Sequence, residues 1–332
     1  MKKSLYLFIA LVAAAANLFA QDCETVPSAF TGNASITLQR YKHTDLTGLF
    51  TVNASGKQVR FSQGNLQYRA SSGKWRFAEN QWDVLGNTSA GGNTTAAVNR
   101  PTQTKWIDLF AFGTSGWNSG ANYYQPWAAS STNSDYRESE TVAQTSDSID
   151  WAFYNPIING GIGGDAPAAG RGQWRVLTTA EWLYVFNSRK DAAEHLLYEY
   201  GVLMSVNGIF LLPDEWDWTT FLSGLSEGAV KTALTTLSTN WRYGTTKDYA
   251  TSEVSDADVW AALEAAGVVF LPTTGNRSGT KVNNLTYGYY WSSTDLNAIG
   301  QARGILFFSG TLTPQRNLNR EWGCAVRPVH DL

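Results

Sequence analysis

The stretch Gly288 to Val329, GYYWSSTDLNAIGQARGILFFSGTLTPQRNLNREWGCAVRPV, constrains the fold more than any other part of the chain. Two apolar ends, Tyr289-Tyr290-Trp291 and Val326-Arg327-Pro328-Val329, bracket a run that obeys no single structural period. Ile305 and Phe307 recur at period 2 and can face a core, which points Leu306 and Phe308 the other way. If that second face is open, Leu306, Phe308, Trp322 and Arg303 form a displayed patch of the kind that marks a binding surface. If a second layer covers it, the same residues form a strand buried on both faces, and periodicity does not choose between the two.

The chain has 332 residues, 43% of them hydrophobic and 16% charged, enough to bury a large core in one or two domains. A net charge of −3 supplies neither a basic field for nucleic acid nor a polybasic arm for an anionic membrane. With 14 Trp, 15 Tyr, 15 Phe and 30 Gly, strands, turns and loops stapled by aromatic rings are favoured over helical bundles.

Lys2 and Lys3 precede the apolar run Leu5 to Ala16, and small Ala20 stands before polar Gln21-Asp22, the pattern of a secretory signal peptide cut after Ala20. Export to the periplasm, the cell surface or the medium is therefore expected, with no membrane insertion after cleavage. Gln21 to Thr47 reads as an N-terminal extension to a domain that covers 48–332. Leu49–Val52 and Gln58–Phe61 alternate around Asn53-Ala54-Ser55-Gly56 and predict a hairpin. A second strand pair is expected at Leu66–Arg69 and Trp75–Phe77. Leu85–Ala97 and Gly113–Asp147 are loops by composition, the latter pinned by Trp117, Tyr123, Tyr124 and Trp127. Thr178 with Glu181 is a capping box opening a helix that runs toward Ala193. Ser255 with Asp258 opens a second helix, which Gly267 stops. Gly208–Pro213 and Val268–Pro272 read as buried strands, and an insertion around 216–250 holds a further helix near Ala229–Leu237.

Catalytic constellations are sparse. His43, His195 and His330 are too few and too scattered for a zinc or iron cluster, and His195 reads as a helical residue with a structural role. Asp214-Glu215-Trp216-Asp217 offers acids that either pair around calcium or a glycosidic bond, or cap the turn after a strand; the turn is the expectation. The glycines between Gly160 and Gly172 lack the lysine and the strand-to-helix setting of a phosphate loop. Cys23 and Cys324 are the only cysteines, and export permits a disulfide between them; an unpaired thiol at Cys324 is the other reading.

The pattern GYYWSST, then an irregular run, then S-G and R-x-x-G-x-x-V-R-P-V resembles the C-terminal half of C-type-lectin-fold domains of bacterial surface proteins, the Fibrobacter succinogenes major paralogous domain group. It is also similar to the variable regions of proteins diversified by retroelements. Trp174-Arg175-Val176-Leu177-Thr178-Thr179-Ala180-Glu181-Trp182 resembles the helix start of formylglycine-generating-enzyme-like domains, though Cys324 has no second cysteine in the C-terminal half for that chemistry. The resemblance, over Phe50 to Val329, implies an α+β, C-type-lectin-like fold with two main helices, short antiparallel strands and long irregular loops. It implies a non-enzymatic, surface-displayed binding module, an adhesin or retroelement-diversified receptor, with no cofactor and no metal. Its ligand, a protein or glycan at a cell surface, would be met by a block at about 295–324: Asp295, Leu296, Asn297, Arg303, Leu306, Phe308, Thr311, Thr313, Arg316, Asn319, Glu321 and Trp322. A glycan-active enzyme using carboxylates and a structural tip subunit of a surface appendage are the alternatives.

Overall fold

The first hairpin forms where the turn chemistry demands it. In the computed structural model, β1 (Phe50–Thr51) and β2 (Gln58–Phe61) pair antiparallel. The Asn53 side chain accepts from the backbone N–H groups of Ser55 at 3.1 Å and Lys57 at 3.0 Å, and Gly56 takes φ +81°. The structure describes residues 46–118, 122–136, 146–162, 168–296 and 300–332. Residues 1–20, where a signal peptide is expected, nearly all of the expected N-terminal extension, Cys23, His43 and Asn297 lie outside them.

A second hairpin, β3 (Leu66–Arg69) and β4 (Lys74–Phe77), sits where alternation places it. After an irregular stretch come two short helices, α1 (Ser146–Ile149) and α2 (Trp151–Tyr154), then β5 (Arg175–Val176). Helix α3 (Thr179–Asn187) carries the reciprocal Thr178–Glu181 capping box. It ends well short of Ala193, and Arg189 just beyond it reaches Asp214. Strands β6 (Tyr198–Leu203) and β7 (Val206–Leu211) follow as a tight hairpin. Its two-residue turn, Met204-Ser205, has φ +49° and +68°, values that Asn-Gly ordinarily supplies. That is why the sequence carries no turn signal there and β6 escapes a reading by pattern.

The insertion holds α4 (Trp218–Ser223) and α5 (Ala229–Asn240), then β8 (Glu253–Val254). Helix α6 (Ala257–Ala265) is capped by Asp256, whose carboxylate accepts from Asp258 N–H at 2.8 Å and Val259 N–H at 3.2 Å, so the cap lies one residue beyond Ser255. Strand β9 (Val269–Pro272) and the small hairpin β10 (Asn276–Ser278) and β11 (Lys281–Asn283) lead into the C-terminal block. That block is an antiparallel meander of β12 (Gly288–Asp295), β13 (Gln301–Phe308) and β14 (Thr311–Asn319), more regular than its residue types suggest. The last strand, β15 (Pro328–Asp331), inserts between β2 and β5. The architecture is thus α+β, with small and mainly antiparallel sheets.

Two sheets partition three apolar cores. From the β12–β13–β14 sheet, Tyr290, Ile305 and Phe307 enter a core shared with α3 residues Trp182, Val185 and Phe186. Tyr289, Trp291, Ala302 and Leu318 enter a second core on the opposite face, with Phe110, Trp151 and Trp174. The β8–β6–β7–β9 sheet turns Tyr198, Tyr200 and Ile209 to the first core. Its other face gives Leu203, Phe210 and Phe270 to a third core built with Leu234, Trp241 and Trp260 from the insertion and α6. Strand β13 is therefore covered along much of both faces, which is the physical reason its apolar residues do not alternate with polar ones.

Candidate functional site

Register decides what the C-terminal block can present. Successive side chains of a strand alternate, so Arg303 shares a face with Ile305 and Phe307, while Leu306 and Phe308 share the other with Ala302. The expectation that Arg303 joins Leu306, Phe308, Arg316 and Trp322 on one surface is corrected by that one-residue offset. Arg303 bonds the Asn317 side chain directly across the ladder, and Ser292 Oγ donates to its backbone carbonyl at 2.9 Å.

On the opposite face the remaining residues do converge. Phe308 stacks on Tyr287 with ring centroids 4.2 Å apart and planes 14° off parallel, and Tyr287 lies 14° off parallel to Tyr289 at 6.2 Å. Trp322 meets Tyr289 edge-on at 6.0 Å. Tyr289 pairs with Leu306 across β12–β13, and Leu306 with Thr313 across β13–β14. Phe308 pairs with Thr311, and Gly304 with Arg316, which a register shift between Gly304 and Leu306 separates from the Thr313 pair. Tyr287, Leu306 and Trp322 are half-buried against the second core, Phe308 is half-buried outside it, and Gln315, Arg316 and Asn317 are exposed. Tyr287, one residue ahead of β12, belongs to no periodic pattern; its place next to Gly288 and its ring are the only signals in the sequence.

The polar members of the block serve structure. Asp295 is half-buried and ion-paired with Arg320, whose guanidinium lies 5.3 Å over the Phe112 ring. Leu296, beside it, is half-buried and donates its N–H to the Asp295 carboxylate at 2.6 Å. Glu321 is buried rather than displayed, accepts from Asn319 Nδ2 at 3.1 Å, and burial raises its carboxyl above the ordinary range. Thr311 offers its carbonyl inward to Tyr200 Oη at 2.7 Å. At the tip of the β13–β14 hairpin, Gly310 N–H donates to the Lys247 carbonyl of the insertion at 2.7 Å.

The other candidates resolve as scaffolding. Asp214 binds Arg189 at 2.8 Å and accepts from Thr51 N–H and Oγ1, each at 2.7 Å, and from Gln58 Nε2 at 3.0 Å. Burial pushes the Asp214 carboxyl up, and the Arg189 pair together with those hydrogen bonds outweighs it, leaving it below the usual range. Glu215 is exposed, and Asp217 caps α4 through Thr219 and Thr220 N–H groups, so these acids diverge. His195 sits on an exposed turn after α3, not in a helix, bonded to Asp191 at 3.0 Å and stacked on Tyr243 at 4.4 Å. The Gly160 carbonyl accepts from Trp174 Nε1 at 2.6 Å, a structural turn. Cys324 is a free thiol, fully buried in the second core; Cys23, its partner in the disulfide reading, lies outside the described residues.

A cleft of 370 Å³ lies elsewhere, lined by Phe153, Gln173, Trp174, Arg175, His330 and Asp331. Its acid, Asp331, is held by Arg175 at 2.7 Å and Lys57 at 3.0 Å, and among the described residues no second carboxylate lines the cleft. Among the described residues no group of three or more His, Cys, Asp and Glu side chains is arranged to hold a metal ion, and no helix is long and apolar enough to cross a membrane. No protein-family model, curated protein or solved structure matches the chain.

Proposed function

We propose that the protein is an exported, non-enzymatic binding module of C-type-lectin-like type, whose ligand is a protein or glycan at a cell surface. Its binding surface is the aromatic face of the β12–β13–β14 sheet: Tyr287, Leu306, Phe308, Thr313, Arg316 and Trp322. The observation that carries this reading is the Phe308–Tyr287 stack, two partly exposed rings on the face that also carries exposed Arg316, on a sheet fixed between two cores. A surface already ordered by its scaffold loses little conformational entropy on binding, and aromatic rings with an arginine are the side chains that most often dominate interface energies. The dispersal of the acids at Asp214, Glu215 and Asp217 lends no support to the glycan-active alternative.

The test is a pair of variants, Phe308→Ser and Arg316→Glu, compared with the parent for melting temperature and for binding to glycan and protein arrays and to cell-surface extracts. Loss of a parent interaction in both variants with melting retained supports the proposal. Parent binding that survives both changes rejects it.

A further inference from the structure

Strand β6 grips two different segments through two adjacent residues. The Glu199 side chain, fully buried, accepts from its neighbour Tyr200 N–H at 2.9 Å and from Arg242 N–H. Further backbone donors come from Tyr243 and Gly244. Those two residues have φ +51° and +68°, so successive N–H groups of the 242–244 turn converge on one carboxylate, an anion-holding nest. The turn is seated tightly, because a Cβ on Gly244 would lie 2.2 Å from the Tyr198 ring. Three residues on, the Lys247 carbonyl holds the N–H of Gly310 at the β13–β14 tip, and Tyr200 Oη holds the Thr311 carbonyl beside it.

We propose that the 242–248 segment is a pH-responsive latch: the protonation state of Glu199 sets how firmly this segment, and through Lys247 the tip of the β13–β14 hairpin, is held against the body of the domain. The proposal concerns the order of the hairpin and holds whether or not the adjoining aromatic face binds a ligand.

Among the described residues, the charge on Glu199 is compensated by backbone dipoles alone. The ionisable groups around it are Tyr198 on its own strand and Tyr243 in the latch; Arg242 turns its guanidinium back to the Thr239 carbonyl at 3.0 Å, while Asp191, His195 and Asp217 face Tyr243. Tyr249 faces Tyr200 on the opposite side of the strand. Neither the Arg242 guanidinium nor the His195 ring pairs with the carboxylate. Desolvation on burial consequently dominates over the backbone hydrogen bonds and lifts the Glu199 carboxyl to about 7. Once the latch swings out, the carboxylate meets water and its ordinary affinity for protons returns. Protonation therefore favours the closed latch, and raising pH through 7 favours release.

The test is amide hydrogen exchange of the full chain between pH 5.5 and 8.5, corrected for the intrinsic pH dependence of exchange. Protection at Arg242, Tyr243, Gly244 and Gly310 is expected to fall together by roughly tenfold or more across this range, while protection at core strand β7 falls less. Glu199→Gln, which fixes the neutral form, is expected to abolish that fall at all four amides. The wild-type series alone decides the matter if the variant does not fold. Flat protection at 242–244, a fall there that leaves Gly310 unchanged, or an unaltered fall in Glu199→Gln overturns the latch.

Discussion

Phe307 and Phe308 are adjacent on β13 and belong to different environments. Phe307 is fully buried in the first core, where it stacks near-parallel with Tyr290 at 6.0 Å, and Phe308 lies partly exposed on Tyr287 at 4.2 Å. One residue of register separates a ring that holds the domain together from one available to a partner.

Phe307→Ala should accordingly destabilise the domain by about 3 to 5 kcal/mol, and Phe308→Ala by less than about 1 kcal/mol. Chemical denaturation of the two variants side by side checks the assignment. Equal losses would mean that Phe308 is a core residue and that the binding face is misplaced.

Trp182 on α3 and Trp260 on α6 are both completely buried, in different cores. Replacing either by alanine should cost about 3 to 5 kcal/mol. Because they share no partner, the double variant should lose close to the sum of the two. Unfolding free energies from urea titrations provide the comparison.

The acids after β7 should differ sharply. Asp214→Ala leaves the Arg189 guanidinium, whose side chain is 1% exposed, without its counter-charge, and should cost about 3 to 5 kcal/mol. Asp217→Ala removes only the α4 cap and should cost about 1 kcal/mol. Glu215→Ala should be neutral in the same thermal melts.

Stability should rise on mild acidification. Asp150 is buried and accepts from Ala152, Phe153 and Val176 N–H groups, yet desolvation lifts its carboxyl to about 6, and Glu199 is lifted to about 7. Folded pKa values above the unfolded ones mean that the associated stability is complete below about pH 4 and is lost as pH climbs through 6 and 7. Asp214 has the opposite sign, its contribution present above the unfolded pKa and lost as pH falls through its depressed one. Unfolding free energy at pH 5 should thus exceed that at pH 8 by about 2 to 4 kcal/mol. Urea titrations at the two pH values, with Glu199→Gln as the variant that flattens most of the difference, read this directly.

The local elements were legible because their causes are local. The Asn53–Gly56 turn, the Thr178–Glu181 capping box and the buried run at β9 each depend on a few neighbouring residues whose side chains bond or crowd their own backbone. The same holds for the α+β character, which follows from alternating apolar residues and a small number of capped helices. The β6–β7 hairpin was illegible because Met204 and Ser205 adopt left-handed angles that their identities do not favour, held there by the strands they join. At the C-terminal block, the sequence determined that Ile305 and Phe307 face one way and Leu306 and Phe308 the other, since a strand admits no other arrangement. Tertiary structure alone decided how much of that second face is covered. A second core assembled from Phe110, Trp151, Trp174 and Cys324 reaches Leu306 and Trp322 and stops short of Phe308 and Arg316, and where a distant layer ends is a property of packing between segments that no local period records.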